Sequence, residues 1–206
     1  DSGMQGSPDN DNPLALIRQP EDRVAGEIAD HIREIQPDVL VTFDPIGGYR
    51  HPDHVYIHNT TVKAFELAAD PEYKSPAGMP EFRPRKFYYQ SIPKNMLKMI
   101  VFFMRLIGKD PTKFGRNGDI DMASIARENF PVDAVIDYRQ VALIKEQASA
   151  CHLSQVGGSL TGGFLAPLRR FFASKEIYMR VYPPAAGKVE KDLFEGITEL
   201  PPLKLR

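Results

Sequence analysis

The residues best suited to chemistry lie close together. His51, His54 and His58 fall within eight residues at spacings of three and four, and on a helix that spacing places side chains on one face. Neutral imidazoles so arranged suit Zn2+, which takes nitrogen ligands at about 2.0 to 2.1 Å and, when catalytic, keeps a position open for water. A catalytic zinc site is the sharper reading. The plainer one makes His51 an N-terminal helix residue, His54 a partly buried one and His58 a solvated one. Context shifts the balance toward the site: the histidines follow an apolar run and a Gly47-Gly48 turn, and Asp44 and Asp53 supply carboxylates able to orient a ring. Tyr49 and Arg50 stand beside them as a hydroxyl donor and a cation for a cleft.

The elements that must position these residues alternate between helix and strand. Apolar residues at Val24, Ile28, Ile32 and Ile35, with acids in the first turn, predict an amphipathic helix over 21–35 that ends at Pro37. The run DVLVTF at 38–43 reads as a buried parallel strand, and 44–50 as the loop at its carboxyl end, where open α/β sheets bind ligands. A helix is expected from His51, with Pro52 tolerated in its first turn. Further strands are expected at 85–91, 133–138 and 176–182, and helices at 94–107, 139–151 and 164–173. The connection 109–129 has no clean period; such segments often lie over a site as loops with short helices.

Composition sets the outer bounds. The 206 residues suffice for one domain with a substantial core. Lys and Arg number 26 against 27 Asp and Glu, so the whole chain lacks the basic footprint of a nucleic-acid or anionic-membrane binder. The richest apolar run, MIVFFM at 99–104, is far shorter than the roughly 18 to 20 residues of a membrane span. The single cysteine, Cys151, cannot form an internal disulfide, which makes a cytoplasmic location the default. The opening DSGMQGSPDNDNP lacks the order of a signal peptide and an initiator Met, as in a cut or truncated chain.

The stretch TFDPIGGYRHPDHVYIH resembles the second signature of the LmbE-like, or PIG-L, zinc deacetylases. DSGMQGSP is similar to the segment upstream of it in the mycothiol-pathway members, KEQASACHLSQ to a downstream family helix, and DLFEGI to their usual tail. The resemblance implies an α/β fold: a Rossmann-like, mostly parallel sheet with helices on both faces. It further implies a single domain over 1–206, with 183–206 a tail docking on its body. Carried over by residue, it makes His54 a zinc ligand, His51 the histidine that assists the tetrahedral intermediate and Asp53 the carboxylate that holds His51. Asp1, Tyr49 and His152 would line the substrate site and His58 would be structural; Arg50 joins the substrate-binding residues on its position beside the histidines alone.

The family's first motif, Ala-His-Pro-Asp-Asp-Glu, has no match in this sequence. It supplies two further zinc ligands and the general base, so the chain is expected to be the C-terminal two-thirds of a deacetylase, its first βαβ portion missing or carried elsewhere. The implied cofactor is Zn2+, with another divalent ion an option, and the implied partner a small N-acetylated amino sugar. A homo-oligomer is left open. In the implied reaction, zinc lowers the pKa of bound water to about 7 and polarises the acetyl carbonyl, while protonated His51 stabilises the oxyanion. A mycothiol S-conjugate amidase shares these motifs, and a non-catalytic sugar-binding remnant is the reading from another class. A nucleotide-binding role lacks support, because no G-x-G-x-x-G follows a strand.

Overall fold

The computed structural model describes residues 2–115, 117–151 and 174–197. Glu21 and Asp22 set negative charge in the first turn of α1 (Glu21–Ile35), where the helix dipole favours it. The helix stops at Gln36, whose left-handed backbone (φ 51°) lets its N–H return to the Ile32 carbonyl just before Pro37. Strand β1 (Val39–Phe43) follows, then a distorted single turn, α2 (Gly47–Arg50), and α3 (Pro52–Ala69). Next come β2 (Lys86–Ser91), α4 (Lys94–Leu106), the short α5 (Met122–Ile125), β3 (Ala134–Asp137), α6 (Ala142–Ala150) and β4 (Lys175–Tyr182).

The four strands form one sheet in the order β1-β2-β4-β3. β1 and β2 pair in parallel, Val39 opposite Lys86 and Phe43 opposite Gln90, while β4 runs antiparallel to both of its neighbours. Three strands thus share one direction. This is an α/β fold, and the expected strands and helices are found to within a residue or two at most ends. The helix expected over 139–151 begins instead as a 3-10 turn at Arg139–Val141, because the Asp137 carboxylate takes the Arg139 N–H and side chain. Residues 164–173, expected as a helix, lie outside the described residues.

Alternation along β2 decides which side chains meet which layer. Phe87 and Tyr89 face α3, where Phe65 stacks on Phe87 with ring centroids 4.9 Å apart. Behind α3, Ala29 and Ile32 of α1 pack on Ala64 and Ala68 of α3, small side chains that let the two helices approach closely. Tyr88 faces the other way with Tyr178 and Ala134, where Leu193 covers it. On that side Glu190 accepts hydrogen bonds from Lys86 at 2.8 Å, Tyr88 at 2.5 Å and Arg180 at 2.7 Å, all largely withdrawn from water. A fourth cluster, Leu97, Val101, Met122 and Ile125, joins α4 to α5 and reaches Ile46 and Tyr49 in the turn after β1. Among the described residues no helix is long and apolar enough to cross a membrane.

Candidate active site

The turn between β1 and α3 is built by its glycines. Gly47 (φ +64°) and Gly48 (φ +70°) occupy the left-handed region. A Cβ on Gly47 would stand 2.7 Å from the Val55 nitrogen and 2.8 Å from the His54 Cβ, so the chain can pass close over the start of α3 only with no side chain there. The buried Asp44 fastens the turn: its carbonyl accepts the Gly47 N–H and its carboxylate the Gly48 N–H, each at 2.8 Å. Burial pushes the Asp44 carboxyl up from its ordinary pKa, opposed by the backbone N–H groups of Gly48 and Ile46 and by the Ser91 side chain. Arg50 closes the turn with φ 66°, a left-handed conformation that costs a non-glycine residue about 1 kcal/mol or more.

His51 is the N-cap of α3, and its Nδ1 accepts the Asp53 backbone N–H at 3.2 Å. The neutral ring accordingly carries its proton on Nε2. His54 lies inside the first turn with its Nδ1 3.2 Å from the Gly47 carbonyl. A carbonyl only accepts, so Nδ1 carries the proton, and the Nε2 lone pair has no hydrogen-bond donor among the described residues. The His54 ring stacks on Phe43 with centroids 4.0 Å apart and meets Tyr49 edge-on at 5.0 Å. The His51 and His54 rings are 4.9 Å apart. Burial lowers the pKa of both, with Asp53 opposing that shift at His51 and the Gly47 bond opposing it at His54.

The structure brings together His51, Asp53, His54 and Tyr49. It separates His58, which is buried with Nδ1 2.7 Å from the Phe43 carbonyl and its ring edge-on to Tyr89 at 4.6 Å. The three-histidine stripe is thus a pair at the turn plus one histidine that fastens α3 to the sheet. Arg50 engages Glu128 in an ion pair at the surface. Asp1 and His152 lie outside the described residues.

Two residues at the site are not singled out by the sequence reading, although Ser2 lies in the DSGMQGSP stretch and Asp119 in the 109–129 connection. Ser2, fully buried, gives Asp53 both its N–H, at 2.9 Å, and its hydroxyl proton. Burial pushes the Asp53 carboxyl up, yet the two Ser2 bonds and the His51 ring outweigh it and hold the group below its ordinary value. Asp119 belongs to the 109–129 connection, whose Phe114 and Ile120 pair across an isolated bridge and pack on the cluster that contains Tyr49. Its charge is felt at both Tyr49 and His51, and after burial it is the next influence holding the Tyr49 phenol protonated. The connection therefore does lie beside the histidines. Nearby, a cavity of about 330 Å3 opens between the ends of β1 and β2, with Asp44, Gly48, Ser91 and Glu128 among its walls.

The described residues contain no group of three His, Cys, Asp or Glu placed to hold a metal ion. His54 fits one ligand position, and the complete set for a catalytic zinc is not among them.

Residues 2–65 match the PIG-L family, described as GlcNAc-PI de-N-acetylase. A protein of Streptomyces avermitilis named 1D-myo-inositol 2-acetamido-2-deoxy-alpha-D-glucopyranoside deacetylase is 32% identical over 200 residues, which cover 96% of this chain and 67% of the relative. One of Catenulispora acidiphila, named as deacetylase 1 of the same compound, is 33% identical over 203 residues, 96% of this chain and 62% of its own length. A Thermomonospora curvata deacetylase of the same name is 37% identical over 166 residues, 81% of this chain and 54% of its own. The chain belongs to the PIG-L family of de-N-acetylases. It spans about two-thirds, or less, of the length of these relatives.

Proposed function

We propose that this chain is the larger part of a zinc-dependent hydrolase that removes the acetyl group from an N-acetylglucosaminyl substrate, with an inositol glycoside as the first compound to test. The observation that carries this reading is the setting of His54. Its Nδ1 faces a backbone carbonyl, its ring is stacked on Phe43, and its Nε2 is left available, as in a metal-binding imidazole fixed by an outer partner. The relatives' names supply the chemistry, an acetamido sugar losing its acetyl group.

His54 would be one ligand of the zinc, whose chemistry is to activate water and polarise a carbonyl. The others would come from the part of the relatives' length that this chain does not span. The chain's own residues have separate tasks. His51, buried and next to His54, holds a proton on Nε2 and can donate it as a hydrogen bond to an oxygen gaining negative charge, an effect worth roughly 2.7 to 4 kcal/mol for one donor in other enzymes. Asp53 fixes that ring through its backbone N–H and adds negative charge beside it. Tyr49, protonated at neutral pH, is placed to donate its phenolic hydrogen to a bound substrate.

The test is acetate release by the intact native protein from the N-acetylglucosaminyl inositol, with a mycothiol S-conjugate amide assayed alongside. Acetate and free amine should appear in equal amounts, stop on chelation and return with zinc. Metal-loaded protein that cleaves neither compound would overturn the reading.

A further inference from the structure

The helix α4 turns its apolar side to solvent. Its buried residues, Leu97 and Val101, join the cluster behind the Tyr49 turn. On the opposite side Met99, Phe102, Phe103 and Leu106, spaced i, i+3, i+4 and i+7, are each more than half exposed, and Ile107 continues the patch just past the helix end. Four large side chains on one exposed stripe form a contiguous patch, unlike the scattered apolar residues of an ordinary surface.

The charges on this helix have one sign. Lys94, Lys98 and Arg105 form a row between the buried and exposed apolar faces, and α4 contains no Asp or Glu. Among the described residues Lys94 bonds to the neutral Asn129 at 3.1 Å, and neither it nor Lys98 nor Arg105 has an ion-pair partner. Lys109 and Asp110, just beyond, offset each other. The near-zero charge of the whole chain averages over this concentration.

We infer that α4 is a membrane-surface helix, lying flat on an anionic phospholipid bilayer with Met99, Phe102, Phe103 and Leu106 among the acyl chains and Lys98 and Arg105 at the phosphates. An apolar face bordered by cations is the pattern of interfacial helices, which bind by buried apolar area and attraction to anionic headgroups together. Its 13 residues are too few to span a bilayer and sufficient to lie along one. A second copy of the helix is the poorer occupant, since α4 offers no carboxylate for its partner's cations. The inference is independent of the deacetylase reading, because it concerns binding and not turnover.

Co-sedimentation of the intact protein with vesicles tests it. The protein should pellet with vesicles of mixed phosphatidylcholine and phosphatidylglycerol and remain in solution with phosphatidylcholine alone. Binding should fall about tenfold or more in a Phe102→Ser/Leu106→Ser variant, from the apolar area lost, and about as far in Lys98→Glu/Arg105→Glu or at high salt. Circular dichroism checks that each variant folds, and the charge variant tests the surface if the serine variant does not. Absence of binding to the anionic vesicles, binding that the variants leave unchanged, or concentration-dependent dimers that the serine variant abolishes would overturn it.

Discussion

At the scale of single residues, the site depends on which atom of each side chain faces which partner. His51 and His54 stand three apart in sequence, yet their Nδ1 atoms play opposite parts: the first accepts a backbone N–H and the second faces a carbonyl. The protons therefore sit on different ring nitrogens, a donor beside an available lone pair. Asp53 depends on Ser2 for its low pKa. In Ser2→Ala one of the two bonds is lost, and the Asp53 carboxyl should titrate higher than in the wild type, followed by carbon-13 NMR; an unchanged Asp53 would mean that Ser2 does not hold it. The histidines and Asp53 were legible as a cluster, because spacing alone brings residues 51–54 together. The contact of Ser2 with Asp53 was not, since it joins residues 51 apart in sequence and the resemblance of DSGMQGSP assigns that serine no partner. His58 shares the spacing of the stripe, but the resemblance already gave it a structural role; the Phe43 carbonyl and Tyr89 show that it fills that role facing the sheet and not solvent.

At the scale of elements, the loop between β1 and α3 determines where the histidines point. Gly47→Ala would place a methyl group against backbone and against His54 itself, at a positive φ. The variant should lose about 2 kcal/mol or more of stability in urea unfolding, through strain and forced displacement together. It should also weaken metal binding, because the Gly47 carbonyl that orients His54 would move; normal stability and metal affinity would contradict this account of the turn. The flanking elements were readable to within a residue because their signals are local: a 3.6-residue apolar period and first-turn acids for α1, Pro37 after it, and a β-branched run for β1. The Gly-Gly pair was readable as a turn. That its carbonyl fixes a ring seven residues on is a property of the folded path. The 109–129 connection likewise offered no period, and its position beside Tyr49 follows from the packing of Phe114 and Ile120.

At the scale of the whole molecule, the segment after β4 is held to the sheet by a buried charge network. Glu190→Gln would leave Lys86 buried without its anion, which should cost about 3 to 5 kcal/mol in equilibrium unfolding. Burial raises the Glu190 pKa, but Lys86, Tyr88 and Arg180 outweigh it and hold the group below its ordinary value. The stability it contributes is thus present above that ordinary value, 4.5, and is lost as pH falls through the lower folded value. Wild type should lose stability on acidification below about pH 4.5, and Glu190→Gln should lose less; parallel curves would contradict the assignment. Overall charge, near zero, was legible from composition, whereas the one-sided charge of α4 emerges only when the helix is seen with its apolar side outward. The central claim is that His54 is presented to a metal. Its most direct test is the zinc content, after dialysis at neutral pH, of the intact native protein and of its His54→Ala variant. The wild type should retain close to one zinc per chain and the variant, equally folded by circular dichroism, should lose it; equal retention by both, or none by either, would contradict the account.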